Sequence, residues 1–253
     1  LPFFIDLMAF LADHGIPCPH PIADEDGRYL QTLKDKPAVL VQRLTGTNPM
    51  QPNARQCHAI GASLGSMHKA SRHFPQRRDN ERGPHWWREA GERVLPHLQA
   101  EDAALLRDEL AFQFGHRSPE LPRGIIHADL FRDNAMFEGN RLTGIIDFYY
   151  ACHDVFLYDV AVTVNDWCSE ADGRLDAERL SALLGAYRQQ RPPTEAEYAA
   201  WPVLMRGAAL RFWLSRLCDQ IFPREGELTH TKDPDEFKRI LLLRREHCPP
   251  LDS

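Results

Sequence analysis

Hydrophobic positions recur at helical spacing from the first residues: Phe4, Met8 and Leu11 share one face of "LPFFIDLMAFLADHG", and Gly15 followed by Pro17 ends that run. The period then changes. "RYLQTL" and "PAVLVQRL" flank "KDK" and read as two strands joined by a short turn. "TGTNPMQPN" interrupts them. Asn53 then stands where an N-cap belongs, before a helix that puts Ile60, Leu64 and Met67 on a shared face. The "GASLG" inside this helix marks a place where another element packs closely. Residues 71–84, "SRHFPQRRDNERGP", carry no period and read as a surface loop. Helical stretches are expected over 85–98 and 101–115.

The pattern from 124 to 150, "GIIHADLFRDNAMFEGNRLTGIIDFYY", is strand, polar loop, strand, a turn at "EGN", and strand. From Asp154 onward the apolar spacing is helical to the end, with breaks at "DGR", "RPPT" and "FPREGELTHTKDPD". A little β at the front, a β insert in the middle and helix elsewhere predict an α+β fold. No internal repeat or low-complexity tract interrupts it.

Bulk composition narrows the function classes. With 253 residues the chain can form one large domain or two modest ones. The net charge of −6 argues against nucleic acid or an anionic membrane surface as partner, since polyanions select basic surfaces. Six cysteines without a C-x-x-C pair fit a reducing compartment, and twelve histidines include no H-E-x-x-H. No apolar run approaches the ~20 residues that cross a bilayer. A cytoplasmic protein is the expectation.

The polar loop carries the chemistry. Singly, each of His127, Asp129, Asp133, Asn134 and Asp147 suits a turn or a strand end, because Asp and Asn bond nearby backbone. Together they do more. Antiparallel pairing of 134–137 with 142–147 sets Asn134 near Asp147, with Asp129 facing them from the loop. Hard oxygen donors without thiol or imidazole suit Mg²⁺, which takes one or two protein carboxylates and keeps several waters. A remaining carboxylate can orient a hydroxyl and accept its proton. Metal, phosphates and a positioned acid are the parts of phosphoryl transfer. "HADLFRDN" followed by "IIDF" has the H-x-D-x-x-x-x-N…D spacing of a kinase catalytic loop, on the matching strands.

Residues 127–159 resemble the choline kinase and aminoglycoside phosphotransferase group, small-molecule relatives of the protein kinases. More narrowly, "HADLFRDNAMF", "GIIDFYYACHDVFLYDVAVTVNDWC" and "RGAALRFWLSRL", with "LGSMHKAS" and "RGPHWW", resemble bacterial homoserine kinases of that fold over nearly the whole chain. The resemblance implies a protein-kinase-like architecture, with a β-containing small lobe and a mainly helical large lobe whose small β insert carries the catalytic loop. It implies ATP and Mg²⁺ as cofactors, L-homoserine as the acceptor, and a step toward threonine. Asp129 would be the catalytic base, His127 would brace the loop, Asn134 and Asp147 would hold Mg²⁺, and Asp159 would support the loop.

Adenine would lie against "VLVQRLTGT", bonded by backbone of Gln42, Arg43 and Leu44. The acceptor's carboxylate calls for a guanidinium and its ammonium for a carboxylate. "VNDWC" offers Asn165, Asp166 and Trp167; "LMRGAALRFWLSRLCDQ" offers Arg206, Arg211, Trp213 and Arg216 beside a stripe of Leu210, Leu214, Leu217 and Ile221. Arg211 is expected on the carboxylate and Asp166 on the ammonium.

The division expected is residues 1–45 as a remnant of the nucleotide-binding lobe and 46–253 as the catalytic and substrate-binding lobe. A kinase small lobe also has strands whose loop covers the phosphates, and a basic group beside them. Neither stands in 1–45, so the chain reads as lacking the first part of that lobe, and activity is expected of the complete protein. Rival readings are a kinase of the same fold for an aminoglycoside or choline-like alcohol, a metal-dependent phosphohydrolase, and a non-catalytic kinase-fold binding protein. Oligomeric state leaves no signal.

Overall fold

The computed structural model describes residues 1–116, 120–223 and 232–253. Helix α1 (Pro2–Asp13) has proline in its first turn, where no amide donor is missed, and Gly15 at φ +78° follows its end. Its buried residues are Ile5, Leu7, Ala9 and Leu11. Phe4 and Met8, grouped with Leu11 by spacing, instead line a cavity with Val39, Val41 and Asp147. Nearly every position of α1 is apolar, so period alone could not choose its inward face.

Strands β1 (Leu30–Leu33) and β2 (Lys36–Val39) pair antiparallel, from Leu30 opposite Val39 to Leu33 opposite Lys36. Lys34 and Asp35 both take positive φ, the two-residue turn whose twist matches that of paired strands. The hairpin ends at Val39, short of the expected Leu44. Beyond it the chain keeps one bridge, Val41 to Pro21, and a bond from Gln42 N–H to His20 O at 2.9 Å.

Helix α2 (Ala54–Ser71) begins with a reciprocal cap: the Asn53 side chain accepts Gln56 N–H, and the Gln56 side chain accepts Asn53 N–H. Ile60, Leu64 and Met67 are buried as the spacing requires. The glycines explain how α2 lies against α6 (Ala177–Gln190). A Cβ at Gly61 would stand 2.1 Å from Leu183 O, and one at Gly65 would stand 2.7 Å from Gln190 Cβ.

Helices α3 (Pro84–Val94) and α4 (Ala100–Gly115) fall where expected. In the β insert, β4 (Ala135–Glu138) pairs with β5 (Arg141–Ile145). β3 (Arg123–Ile126) pairs with β6 (Cys152–Val155), a strand the apolar pattern does not show because "CHDV" has polar residues at two of four positions. Helix α5 (Phe156–Trp167) follows directly, and all its residues are buried. Helix α7 (Glu195–Ile221) buries Leu210, Leu214 and Leu217, leaving Ile221 partly covered; α8 (Pro234–Glu246) packs beside it. The expected break at "FPREGELTHTKDPD" lies largely outside the described residues. Trp167, Trp201, Trp213, Phe156 and Phe237 fill the core among these helices. Among the described residues no helix is long and apolar enough to cross a membrane.

One buried polar chain runs through this core. Arg191 pairs with Glu197 at 2.8 Å and donates to the Tyr187 hydroxyl at 3.0 Å. Tyr187 lies 2.9 Å from His68 Nδ1, and His68 Nε2 lies 3.1 Å from Asp159 Oδ2. Burial pushes the His68 pKa down, ahead of the opposing pull of Asp159, so the ring is neutral. A neutral ring orders the donors: Arg191 to Tyr187, Tyr187 to Nδ1, and Nε2–H to Asp159.

Two outcomes follow from this packing. Gly61→Ala should cost about 1–3 kcal/mol, because the clash is with backbone, and lower Tm by several degrees in calorimetry; an unchanged Tm would mean the helices do not meet as described. His68 is neutral when folded and titrates near ~6.5 when unfolded. Its contribution is therefore complete above that pH and is lost as pH falls toward the depressed folded value. Denaturant melts from pH 7.5 to 5.5 should lose stability more steeply in the wild type than in His68→Gln. Equal slopes would remove His68 as the titrating group.

Candidate active site

The loop after β3 is fixed by apolar anchors on one side and by hydrogen bonds on the other. Leu130 and Phe131 are buried, and Phe131 packs on Phe212 and Phe237 with ring centroids 4.4 and 5.6 Å away. Trp167 Nε1 donates to Leu130 O at 3.1 Å. Asp159 accepts from His127 N and Ala128 N, both at 2.8 Å, which holds Ala128 at φ +64°. That left-handed turn between His127 and Asp129 swings the next side chain away from the strand line.

His127 is fully buried and spans the insert. Its Nδ1 accepts Asp129 N–H at 3.3 Å, so the proton sits on Nε2 and is donated to Ile146 O at 3.0 Å. Ile146 N–H in turn donates to Asn134 O at 2.9 Å. The segment after β5 that carries Asp147 is thereby tied to the loop after β3 at both His127 and Asn134. Asp147 takes φ +62°, a conformation that Asp tolerates, and remains exposed.

Asp129 and Asn134 meet directly. Asn134 Nδ2 donates to Asp129 O at 2.8 Å and lies 3.3 Å from Asp129 Oδ2. Asn134 closes a short 3₁₀ turn (Arg132–Asn134), so β4 starts one residue later than its expected position. Arg211 Nη1 reaches Asp129 Oδ1 at 3.4 Å from α7. Burial pushes the Asp129 pKa up; the Arg211 guanidinium holds it down, and the charges of Asp147 and Asp133 add to the upward push. Asp129, Asn134 and Arg211 are thus in contact, and the charge of Asp147 acts on the same carboxylate.

The other residues expected on the acceptor have protein partners or no exposed face. Asp166 receives Arg132 N–H at 2.7 Å and Arg132 Nε at 3.1 Å, so its charge is already matched where an ammonium was expected. Burial raises its pKa against the pull of Arg132. Asn165 is inside the core, donating to Met205 O and accepting from Arg244 Nε. Trp213 is 1% exposed, with no face to offer a ligand. Arg216 ties α7 to Asp233 O and Glu236, and Arg206 pairs with Glu109. One cause underlies these placements: α5 and α7 each pack against three or more other helices, so their polar groups find protein partners and Trp213 is enclosed.

The segment read as a surface loop does reach the site. His153 N–H donates to Arg78 O, and Asn80 Nδ2 donates to Asp154 Oδ2 at 2.7 Å, docking residues 78–82 along β6. Only its density of arginine and asparagine hinted at this, since its partner strand was itself unseen. Gln42, Arg43 and Leu44 lie between β2 and the insert; Leu44 packs against Gly144, and Thr47 exchanges two backbone bonds with Phe137.

A profile of the phosphotransferase enzyme family matches residues 1–198. The homoserine kinase of Methylobacillus flagellatus is 51% identical over 241 residues, covering 95% of this chain and 76% of that protein. The homoserine kinase of Janthinobacterium sp. is 48% identical over 255 residues, covering 99% and 79%. Among solved structures, an amicoumacin kinase in complex with AMP-PNP and Ca²⁺ superposes with a TM-score of 0.65 at 18% identity, over 96% of this chain and 75% of that one. The likeness to that structure gives the fold, the protein-kinase-like α+β architecture. The chain belongs to the phosphotransferase enzyme family.

Proposed function

We propose that this protein transfers the γ-phosphoryl group of ATP to the side-chain hydroxyl of L-homoserine, giving O-phospho-L-homoserine. The observation that carries the reading is the Arg211 guanidinium set 3.4 Å from the Asp129 carboxylate. A proton acceptor beside a carboxylate-binding cation is the pair that a hydroxy amino acid requires. The identity to homoserine kinases over nearly the whole chain supports the same acceptor.

In this reading Asp129 accepts a hydrogen bond from the acceptor hydroxyl. As the new O–P bond forms and the bond to the β–γ bridging oxygen breaks, the proton passes to Asp129 and ADP leaves. Burial makes Asp129 a stronger proton acceptor, and the Arg211 guanidinium opposes that rise. His127 and Asp159 hold the loop in place and do not react.

Among the described residues no three His, Cys, Asp or Glu side chains converge as a metal cage. The donor set fits a cation that needs few protein ligands and retains water, which is Mg²⁺ rather than Zn²⁺. Asn134 spends its amide nitrogen on Asp129, so its oxygen remains to join Asp147 as a hard ligand pair. Mg²⁺ held there would neutralise charge on the phosphates.

The nucleotide belongs between 1–45 and 46–253, taken as the two lobes. A cavity of about 190 Å³ lies there, with apolar walls from Phe4, Ile5, Met8, Val39 and Val41 and with Asp147 at its edge. Gln42 N–H is committed to His20 O, so base pairing along this segment falls to Gln42 O and the backbone of Arg43 and Leu44.

A coupled ADP-release assay with L-homoserine and a panel of amino alcohols tests the reading; release that needs no acceptor would mean hydrolysis instead. Asp129→Asn should lower kcat by about 10²–10⁴-fold with an unchanged melting profile. Turnover at the wild-type level would remove Asp129 as base. Asp147→Asn should raise the Mg²⁺ concentration for half-maximal rate by roughly tenfold or more; an unchanged requirement would place the metal elsewhere.

A further inference from the structure

The docking of residues 78–82 on β6 has a chemical consequence. It brings Arg78, Glu81 and Arg82 to a narrow cavity that Arg211, Tyr158 and Ala128 also line. Ala128 precedes Asp129, and Arg211 touches the Asp129 carboxylate, so this space opens beside the group assigned as base. Its volume is about 10 Å³, close to that of one water-sized group. The end of a small acceptor fits there; a sugar ring does not.

Its charge is unbalanced. Three guanidiniums face one carboxylate, Glu81, which is mostly exposed and already bonded to Arg78 at 2.6 Å. Arg211 is 3% exposed and has five N–H donors, yet among the described residues its one acceptor is Asp129, at a long 3.4 Å. It is held instead by the Phe212 ring, 3.8 Å from the guanidinium carbon. Arg82 stacks 4.5 Å over Trp86 and pairs with no carboxylate among the described residues. Arg211 withdrawn from water and Arg82 half-buried, each set against an aromatic ring with donors unspent, mark an anion site.

Building on the acceptor reading above, we propose that Arg82 is a specificity residue. With Arg211 it forms a two-guanidinium clamp on the acceptor's α-carboxylate, which orients the hydroxyl toward Asp129. The loop thereby selects hydroxy acids over alcohols of the same length that lack an anionic end. Its side chain can be tested without dismantling the loop, because the local fold uses Arg82 backbone: its N–H donates to Asn80 Oδ1 and its carbonyl accepts from Trp87 Nε1.

The experiment compares kcat/KM for L-homoserine and for 3-amino-1-propanol, the same molecule without the carboxylate, in wild type, Arg82→Gln and Arg82→Lys. A lost charge-assisted bond is worth about 10–100-fold, so the homoserine preference should fall by that factor in Arg82→Gln, through KM rather than kcat. Arg82→Lys should retain part of it, since the charge remains without the fork. A preference unchanged in Arg82→Gln overturns the clamp and leaves the homoserine reading standing. If the wild type prefers another hydroxy acid, paired with its own carboxylate-free analogue, the homoserine reading fails, and the same fall in Arg82→Gln upholds the clamp. A wild type that prefers acceptors without a carboxylate, or phosphorylates none, overturns both.

Discussion

The loop that carries Asp129 depends on one carboxylate. Asp159, fully buried, accepts the N–H groups of two successive residues, His127 and Ala128, and a third bond from His68. Consecutive amides can reach one carboxylate only where the chain turns sharply, and here the turn uses a left-handed alanine. Such a conformation costs about 1–3 kcal/mol and persists only when its surroundings over-determine it. A buried carboxylate needs its bonds as much as the loop needs the carboxylate, so neither can relax alone. Without this pairing Ala128 would revert to an extended conformation, and Asp129 would no longer project from the loop toward Arg211.

The electrostatics of the site follow from what is left unpaired around that support. Asp159, His68, Tyr187, Arg191 and Glu197 are bonded to one another in sequence within the core. Asp129 is treated differently: it is desolvated, exposed to repulsion from Asp147 and Asp133, and offered a single distant cation. A carboxylate in that position is pushed toward protonation but remains open to a ligand on one side. The carboxylates of Asp159 and Asp166 each accept three bonds, while that of Asp129 has two long contacts, at 3.3 and 3.4 Å. That contrast separates Asp129 from the other polar groups around it better than burial does, since Asp166 and Asn165 are buried as well.

What could be read in the sequence was local in the chain. Asn53 and Gln56 form their cap within four residues, the "KDK" turn lies inside its hairpin, and His127, Asp129, Asn134 and Asp147 are joined by adjacent strands and short loops. The glycines of "GASLG" announced a close approach, though not that α6 was the partner. What could not be read depended on distant pairing. β6 is a strand because β3 lies beside it. Asp166 faces Arg132 because α5 crosses beneath the 3₁₀ turn. The loop 71–84 approaches the site because β6 is there to receive it. The wholly apolar α1 hid its orientation for another reason: without polar positions a helix has no face to declare.

The position of Arg211 rests on how α7 is held where it is weakest. Pro202 sits inside this helix and removes one backbone donor from its ladder. Immediately after that gap, two side-chain amides bond carbonyls of α7: Gln113 Nε2 to Val203 O at 3.1 Å, and Asn165 Nδ2 to Met205 O at 2.9 Å. Asn165 is itself fixed by Arg244, and Gln113 by Glu109, which also pairs with Arg206 in the following turn. The interruption is therefore clamped by α4 on one side and α5 on the other, about two and a half turns before Arg211. Because α5 also carries Asp159, one helix sets both the loop that bears Asp129 and the helix that bears Arg211. Their separation is governed by a single rigid element rather than by the long route of the chain between them.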